Sequence, residues 1–272
     1  MTAKAAKPRG VLVQSPPAGE IVHHRFSPSP DLASCVEHFW SAHWDLKPNA
    51  FQTVETLPHP SVHLVFEKEA TVLMGVREGA FSRILHGKGF VFAAKFRPAS
   101  FHGFYGKALT TLTNKSVNPA DVFGTDFPEL EAKLLSASSS AEMLICVENF
   151  LRRRLPADDD NVKFLNHLLP QIASDPMITR VAHLLPFGGG SVRRLQRLFR
   201  EYVGVSPKWV IARYRIHEAL ERVHEDDVKG WASLALDLGY ADQAHFIRDF
   251  KGLVGTTPLL YQTRARSGKS AL

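Results

Sequence analysis

Residues 191–207 and 242–258 spell one pattern twice: SVRRLQRLFREYVGVSP lies over DQAHFIRDFKGLVGTTP without a gap, at a constant offset of 242 − 191 = 51. A capping residue opens each copy (Ser191, Asp242), and each closes on Val-Gly-x-Ser/Thr-Pro. Ser and Asp accept hydrogen bonds from the orphan N–H groups of a helix start, and Gly204 and Gly255 suit the left-handed residue that ends a helix. Ser206-Pro207 and Thr257-Pro258 then read as cap plus first residue of a following helix. Leu195, Leu198 and Phe199 make an i, i+3, i+4 stripe, which leaves Arg193, Gln196, Arg197 and Arg200 on the opposite side.

A single basic face on an amphipathic helix is usually no more than a solvated face, but here the helix is duplicated. Trp231 to Leu238 reads as a short helix followed by Gly239-Tyr240-Ala241, so each copy is the second half of a helix, a tight turn and a helix. The second helix of such a unit is the one that enters the DNA major groove. Between the copies, Pro207 to His224 can form one helix roughly 27 Å long. Successive major-groove faces lie about 34 Å apart, so a rigid connector of that order sets the two helices against neighbouring grooves of one duplex.

The stretch from about Val162 to Arg264 resembles the DNA-binding domain of the AraC/XylS family of bacterial transcription regulators. The residues that carry the likeness are LQRLFREYVGVSP and, more specifically, LGYADQAHFIRDFKGLVGTTPLLYQ. The resemblance, together with exposure one to two turns past each cap, implies base contacts from Arg193, Gln196 and Arg197 in the first helix and from Gln243, Ala244 and Arg248 in the second. Ser191, Arg194, Arg200, Lys208 and His245 sit at helix starts or flanks, where phosphate contact is expected. One departure is the run Gly188-Gly189-Gly190, which lengthens the first turn and predicts a looser helix pair there.

The first half reads differently. Ser34 to Trp44, Val62 to Phe66, Thr71 to Val76 and Gly89 to Phe96 are short runs rich in β-branched or aromatic residues between turn signals. They predict a β-rich domain, a sandwich or small barrel; the resemblance implies a cupin-like barrel that binds an effector or pairs subunits. His23, His24, His38, His43, His59, His63, His86 and His102 lack tight ligand spacing and read as core or surface histidines, so no metal and no cofactor is expected. Leu57 to Glu67 and Lys95 to Phe101 read as buried strands with turns, the functional alternative being His59 and Arg97 at a ligand mouth. Helices are expected over Pro128–Leu135, Ser140–Leu155, Asn161–Ser174 and Met177–Leu185, with Asp175 capping the last.

The fold class that follows is α+β. A β-rich regulatory, effector or dimerisation domain (1–135) is followed by a helical linker (136–160), an all-α domain with two helix-turn-helix units joined by a connecting helix (161–264), and a disordered tail (265–272). The aspartate-rich segment near Asp158 looks like a boundary few contacts cross, and a fragment from Pro156 onward is expected to fold and bind DNA alone.

The formal charge is +6, from 33 basic minus 27 acidic residues, which suits a polyanionic partner. The expected partner is double-stranded DNA, with a small-molecule effector, RNA polymerase and a second copy of the chain as further candidates. Nowhere do about eighteen apolar residues run together, and the polar opening is no signal peptide, so a cytoplasmic protein without membrane association is expected, its first dozen residues mobile. The competing class is a DNA-repair enzyme of alkyl-transfer type on the same DNA-binding domain. That chemistry needs an activated thiolate, and Cys35 and Cys146 both stand in apolar runs, so no catalytic residue is expected.

Overall fold

Strand Lys88–Phe96 organises the N-terminal half because it is buried on both sides. In the computed structural model, which describes residue 12 and residues 18–68, 70–225, 228 and 230–269, Phe92, Ala94 and Phe96 pack into one core and Val91 and Ala93 into another. Alternate side chains leave a strand on opposite faces, so burial on both turns the segment into a nearly continuous apolar run. The described strands are β1 (Gly19–Phe26), β2 (Val36–Leu46), β3 (Phe51–Thr56), β4 (His63–Phe66), β5 (Val72–Met74), β6 (Phe81–His86), β7 (Lys88–Phe96) and β8 (Ser116–Val117). Six form an antiparallel sheet in the order β1-β2-β7-β4-β5-β8, while β3 and β6 pair as a separate hairpin.

That topology makes the N-terminal half β-rich, as expected, without showing closure into a barrel. Among the described residues the large sheet stays open, with β1 and β8 at its edges. Trp44, Val65, Leu85 and Ala93 form the core on one face, with Val54 of the hairpin packed against it. Helices cover the other face.

The helices are α1 (His102–Tyr105), α2 (Ala120–Phe123), α3 (Phe127–Leu135), α4 (Ser140–Arg152), α5 (Asp160–Ser174), α6 (Val192–Leu198), α7 (Pro207–His224), α8 (Trp231–Asp237), α9 (Gln243–Val254) and α10 (Pro258–Lys269). The segment expected to be a linker is part of the N-terminal core: Met143, Val147, Phe150 and Leu151 of α4 join Phe39, Phe66 and Phe92 of the sheet. Phe127 stacks on Phe66 at 5.9 Å and meets Phe150 edge-on at 5.8 Å. Arg152 ties α4 back to Asp31 and Ser29. The tail expectation also fails where it can be read. Ala265 is buried and Arg266 continues α10; side chains beyond 266, like the expected mobile start of the chain, lie outside the described residues.

Helix starts differ from expectation at two places. α5 starts at Asp160, one residue before the expected Asn161, with Asp159 as its cap accepting from the amides of Asn161 and Val162. Asp175 closes α5 instead of opening a helix, and its carboxylate turns the chain through the Met177 amide at 2.8 Å. The expected helix over Met177–Leu185 is a 3₁₀ segment, Val181–Phe187. Pro186 inside it has no N–H to give and disfavours α conformation in the residue before it, and 3₁₀ geometry rarely runs long.

The boundary near Asp158 is an irregular connection between α4 and α5, but the two halves share cores elsewhere. Val76 and Ala99 of the N-terminal half pack with Leu165, Leu184, Leu195 and Phe199. Leu57 and Leu12 pack with Ile216, Leu220, Phe246 and Tyr261. Arg213 of α7, fully buried, donates from Nε to the Pro58 carbonyl at 2.9 Å and from Nη2 to that of Leu57 at 3.4 Å. His59 faces His217 across the junction at 6.1 Å, and Arg97 donates to the Ala33 carbonyl at 2.6 Å. Neither His59 nor Arg97 lines the N-terminal groove bounded by Val22, His43, Phe90 and Met143.

Two outcomes follow from this shared packing. Leu57→Ala in the full chain should cost about 2–5 kcal/mol, read as a lower urea midpoint at unchanged slope, and the fragment from Pro156 should melt below the intact protein by circular dichroism. Burial, with the Lys95 ammonium and His38 nearby and only Glu37 opposing, holds the His63 imidazole down to about 3. The unfolded chain, whose histidines titrate near about 6.5, then binds more protons than the folded one between the two values. The histidine's contribution is complete above about pH 6.5 and is lost as pH falls toward 3. His63→Gln should flatten that acid limb in denaturation curves measured from pH 7 to pH 4.

Candidate nucleic-acid interface

The repeat in sequence is a repeat in hydrogen bonds. The Ser191 hydroxyl accepts from the Arg194 amide at 3.1 Å, and the Asp242 carboxylate accepts from the His245 amide at 2.7 Å. Gly204 and Gly255, with φ of +91° and +83°, end the two copies in the left-handed region. Ser206 then caps α7 through the Trp209 amide at 3.1 Å, and Thr257 caps α10 through Leu260 at 3.4 Å.

α6 and α9 each bury one side. Leu195, Leu198 and Phe199 are in the core on the first, Phe246, Phe250 and Leu253 on the second. That leaves Arg193, Gln196, Arg197 and Arg200 exposed on the first helix and Gln243, Ala244, Arg248 and Lys251 exposed on the second. None of the charged or amide groups among them makes a hydrogen bond or ion pair within the described residues. Arg193, Arg197 and Arg200 line one open groove with Ser191, Arg194 and Gln196, a concentration of guanidinium groups that suits phosphate and guanine edges alike.

Arg194 and His245, which occupy the same frame position (194 + 51 = 245), behave alike and differently from their neighbours. Arg194 is half-buried, donates to the Gly188 carbonyl at 3.4 Å and lies over the Phe164 ring. His245 is half-buried, 3.6 Å from Asp249 and edge-on to Tyr240 at 5.1 Å. Lys208 is exposed in the first turn of α7, and Ser191 is exposed at its cap. Lys251, missed in the sequence reading, was findable from the repeat itself, because it occupies the place of Arg200 (200 + 51 = 251).

The glycine run of the first turn is more constrained than its composition suggests. Gly188 and Gly190 hold φ of +95° and +70°, conformations that L side chains rarely adopt. A Cβ on Gly189 would come within 2.8 Å of the Leu195 side chain. In the second unit Gly239 has φ of +76° and lies against Thr179, so its turn abuts the loop that opens the first unit.

Two parts of the chain match known families. Residues 189–264 match a family described as a helix-turn-helix domain, and residues 24–118 match a domain of unknown function, DUF6597. No curated protein matches the chain. Among solved structures, ToxT from Vibrio cholerae O395 is similar at 14% identity over 91% of this chain and 98% of that one, with a TM-score of 0.36. Wild-type ToxT from Vibrio cholerae strain SCE256 with an unsaturated fatty acid bound is similar at 14% identity, over 90% and 95% of the two chains, with a TM-score of 0.35. No helix is long and apolar enough to cross a membrane among the described residues.

Because the two cap side chains hold the starts of the reading helices, Ser191→Ala and Asp242→Ala should each lower stability by about 0.5–2 kcal/mol, whereas glycine at either place should cost only a few tenths. Thermal melts of the four variants check this ordering.

Proposed function

We propose, for a chain whose C-terminal domain is a helix-turn-helix domain of the AraC/XylS regulator type, that it is a transcription regulator reading adjacent major-groove faces of one DNA duplex with α6 and α9. The observation that carries the reading is the pair of capped helices at a fixed repeat, each with a buried apolar side and an exposed Arg- and Gln-bearing side. Arg193, Gln196 and Arg197 in α6 and Gln243, Ala244 and Arg248 in α9 are the base readers. Arg can bind guanine O6 and N7 together, and Gln adenine N6 and N7. Ser191, Arg200 and Lys208 contact phosphate. Arg194 and His245, half-buried and engaged within their own units, hold the helix starts first and reach phosphate second.

The N-terminal half supplies the regulation. Its open groove of about 1190 Å³ is lined by Val22, His43, Phe90, Leu135 and Met143 with Arg83 and Glu67 at the polar side, a mixture suited to an amphipathic small molecule. Pairing of two chains and contact with RNA polymerase are compatible with this reading and not required by it. The alkyl-transfer alternative is disfavoured by the thiols. Cys35 is buried, and desolvation raises its pKa, the reverse of what an acceptor nucleophile needs.

Arg197→Ala and Arg248→Ala should each remove about 1–3 kcal/mol of discrimination at the base pair it reads, measured by competing a selected operator against scrambled DNA. Both variants binding the operator as tightly and selectively as the parent would overturn the assignment. Lys208→Ala should weaken all DNA alike and reduce the slope of log K against log salt by about one.

A further inference from the structure

The first reading helix is finished by the N-terminal half. α6 keeps α geometry only over Val192–Leu198 and passes into a π turn, Phe199–Val203, before Gly204. Such turns leave carbonyls short of partners. The Thr113 hydroxyl, from the N-terminal half, donates to the Gly204 carbonyl at 2.6 Å. The approach is close: a Cβ on Gly204 would lie 3.0 Å from the Leu109 carbonyl. One turn earlier, His102 Nε2 is 3.2 Å from the Glu201 carboxylate, and its ring lies 4.1 Å from that of Tyr202.

These contacts come from a segment rooted in the N-terminal core. Phe101, Leu109 and Leu112 are buried in the cluster that holds Phe92 and Phe150. The outer side of the same segment, Ala108 and Thr110, forms the far wall of the groove lined by Arg193, Gln196, Arg197 and Arg200. The first unit needs such outside support, because its scaffold element is the short 3₁₀ segment Val181–Phe187 and not a full helix. The second unit also takes Leu57 and Leu12 of the N-terminal half into its core, but the end of α9 is its own: Gly255 closes it, and the helix packs on α7, α8 and α10. Near its C-terminal turn, a Cβ on Gly79 would lie 3.7 Å from the Gly252 carbonyl, ordinary van der Waals contact.

We infer that the Phe101–Thr113 segment is the positioning device of the first reading helix, with Thr113 and His102 as positioning residues. A change in the N-terminal core then alters sequence discrimination in the half-site read by α6, while the half-site read by α9 is unaffected. This rests on the DNA-reading function proposed above for its consequence on DNA, but not for its consequence on the helix.

The test uses the full chain carrying Thr113→Val, with Thr113→Ser as the variant that keeps the hydroxyl. Hydrogen exchange in the absence of DNA should quicken at residues 199–204 by about two- to tenfold for valine, the range expected for one lost hydrogen bond. It should stay unchanged over 243–254 and return to the parental rate for serine. On a set of operators with single base-pair changes, valine should reduce discrimination by a similar factor at the α6 positions alone. Unchanged exchange at 199–204, a serine variant that behaves as valine does, or an equal loss across both half-sites would each overturn the inference. A parent protein with no sequence preference on any operator would sink the DNA-reading function instead, leaving the exchange measurement to judge the positioning role. If the valine variant does not fold, His102→Ala carries the same expectations through the Glu201 and Tyr202 contacts.

Discussion

Two buried guanidinium groups on one helix hold this molecule together. Arg213 and Arg215 of α7 are 0% and 3% exposed, and each donates to backbone carbonyls of another element. Arg215 donates from Nη2 to the carbonyls of Ile172 and Asp175 at 3.0 and 2.7 Å, at the C-terminal end of α5, where orphan carbonyls and the negative end of the helix dipole favour a cation. Arg213 does the corresponding work for the loop after β3. A buried charge that loses its partners is costly, so α5, α7 and the N-terminal loop are held in one arrangement. Apolar residues of α7 then serve both C-terminal units, Val210 and Ile211 in one core and Ile216, Leu220 and Val223 in the other.

That arrangement gives the two helix-turn-helix units unequal standing. Their ends are built from the same parts and both cores take in residues of the N-terminal half, but the end of α6 also receives a hydrogen bond from that half, whereas α9 is completed by α8 and α10. In a protein whose N-terminal half responds to a signal, the dependent unit is the one able to report it.

Legibility in the sequence followed the range of the interactions. The caps, the left-handed glycines and the limits of α7 were readable because they depend on neighbours within one or two turns, and the repeat stated each of them twice. The exposed face of α6 and of α9 was readable for the same reason, since a buried stripe fixes the opposite face. Strands β3 and β6 were not singled out because Phe51–Thr56 and Phe81–His86 carry exposed or half-buried side chains at most positions and lack the apolar run of β7. The 3₁₀ segment was read as a helix because its apolar spacing outweighed Pro186 in that reading.

By itself, then, the sequence determined the two capped helices, the connector and the face each reading helix presents, since these follow from local hydrogen bonding and helical period. Only the tertiary structure decided that α4 belongs to the N-terminal core, that the sheet stays open, and that Arg213 is an interior residue. It also decided that the Thr113 hydroxyl reaches the carbonyl of Gly204, 91 residues away in the chain. A hydroxyl or guanidinium has the same local signature whether it faces water or a distant carbonyl, and only the packed fold brings that carbonyl within reach.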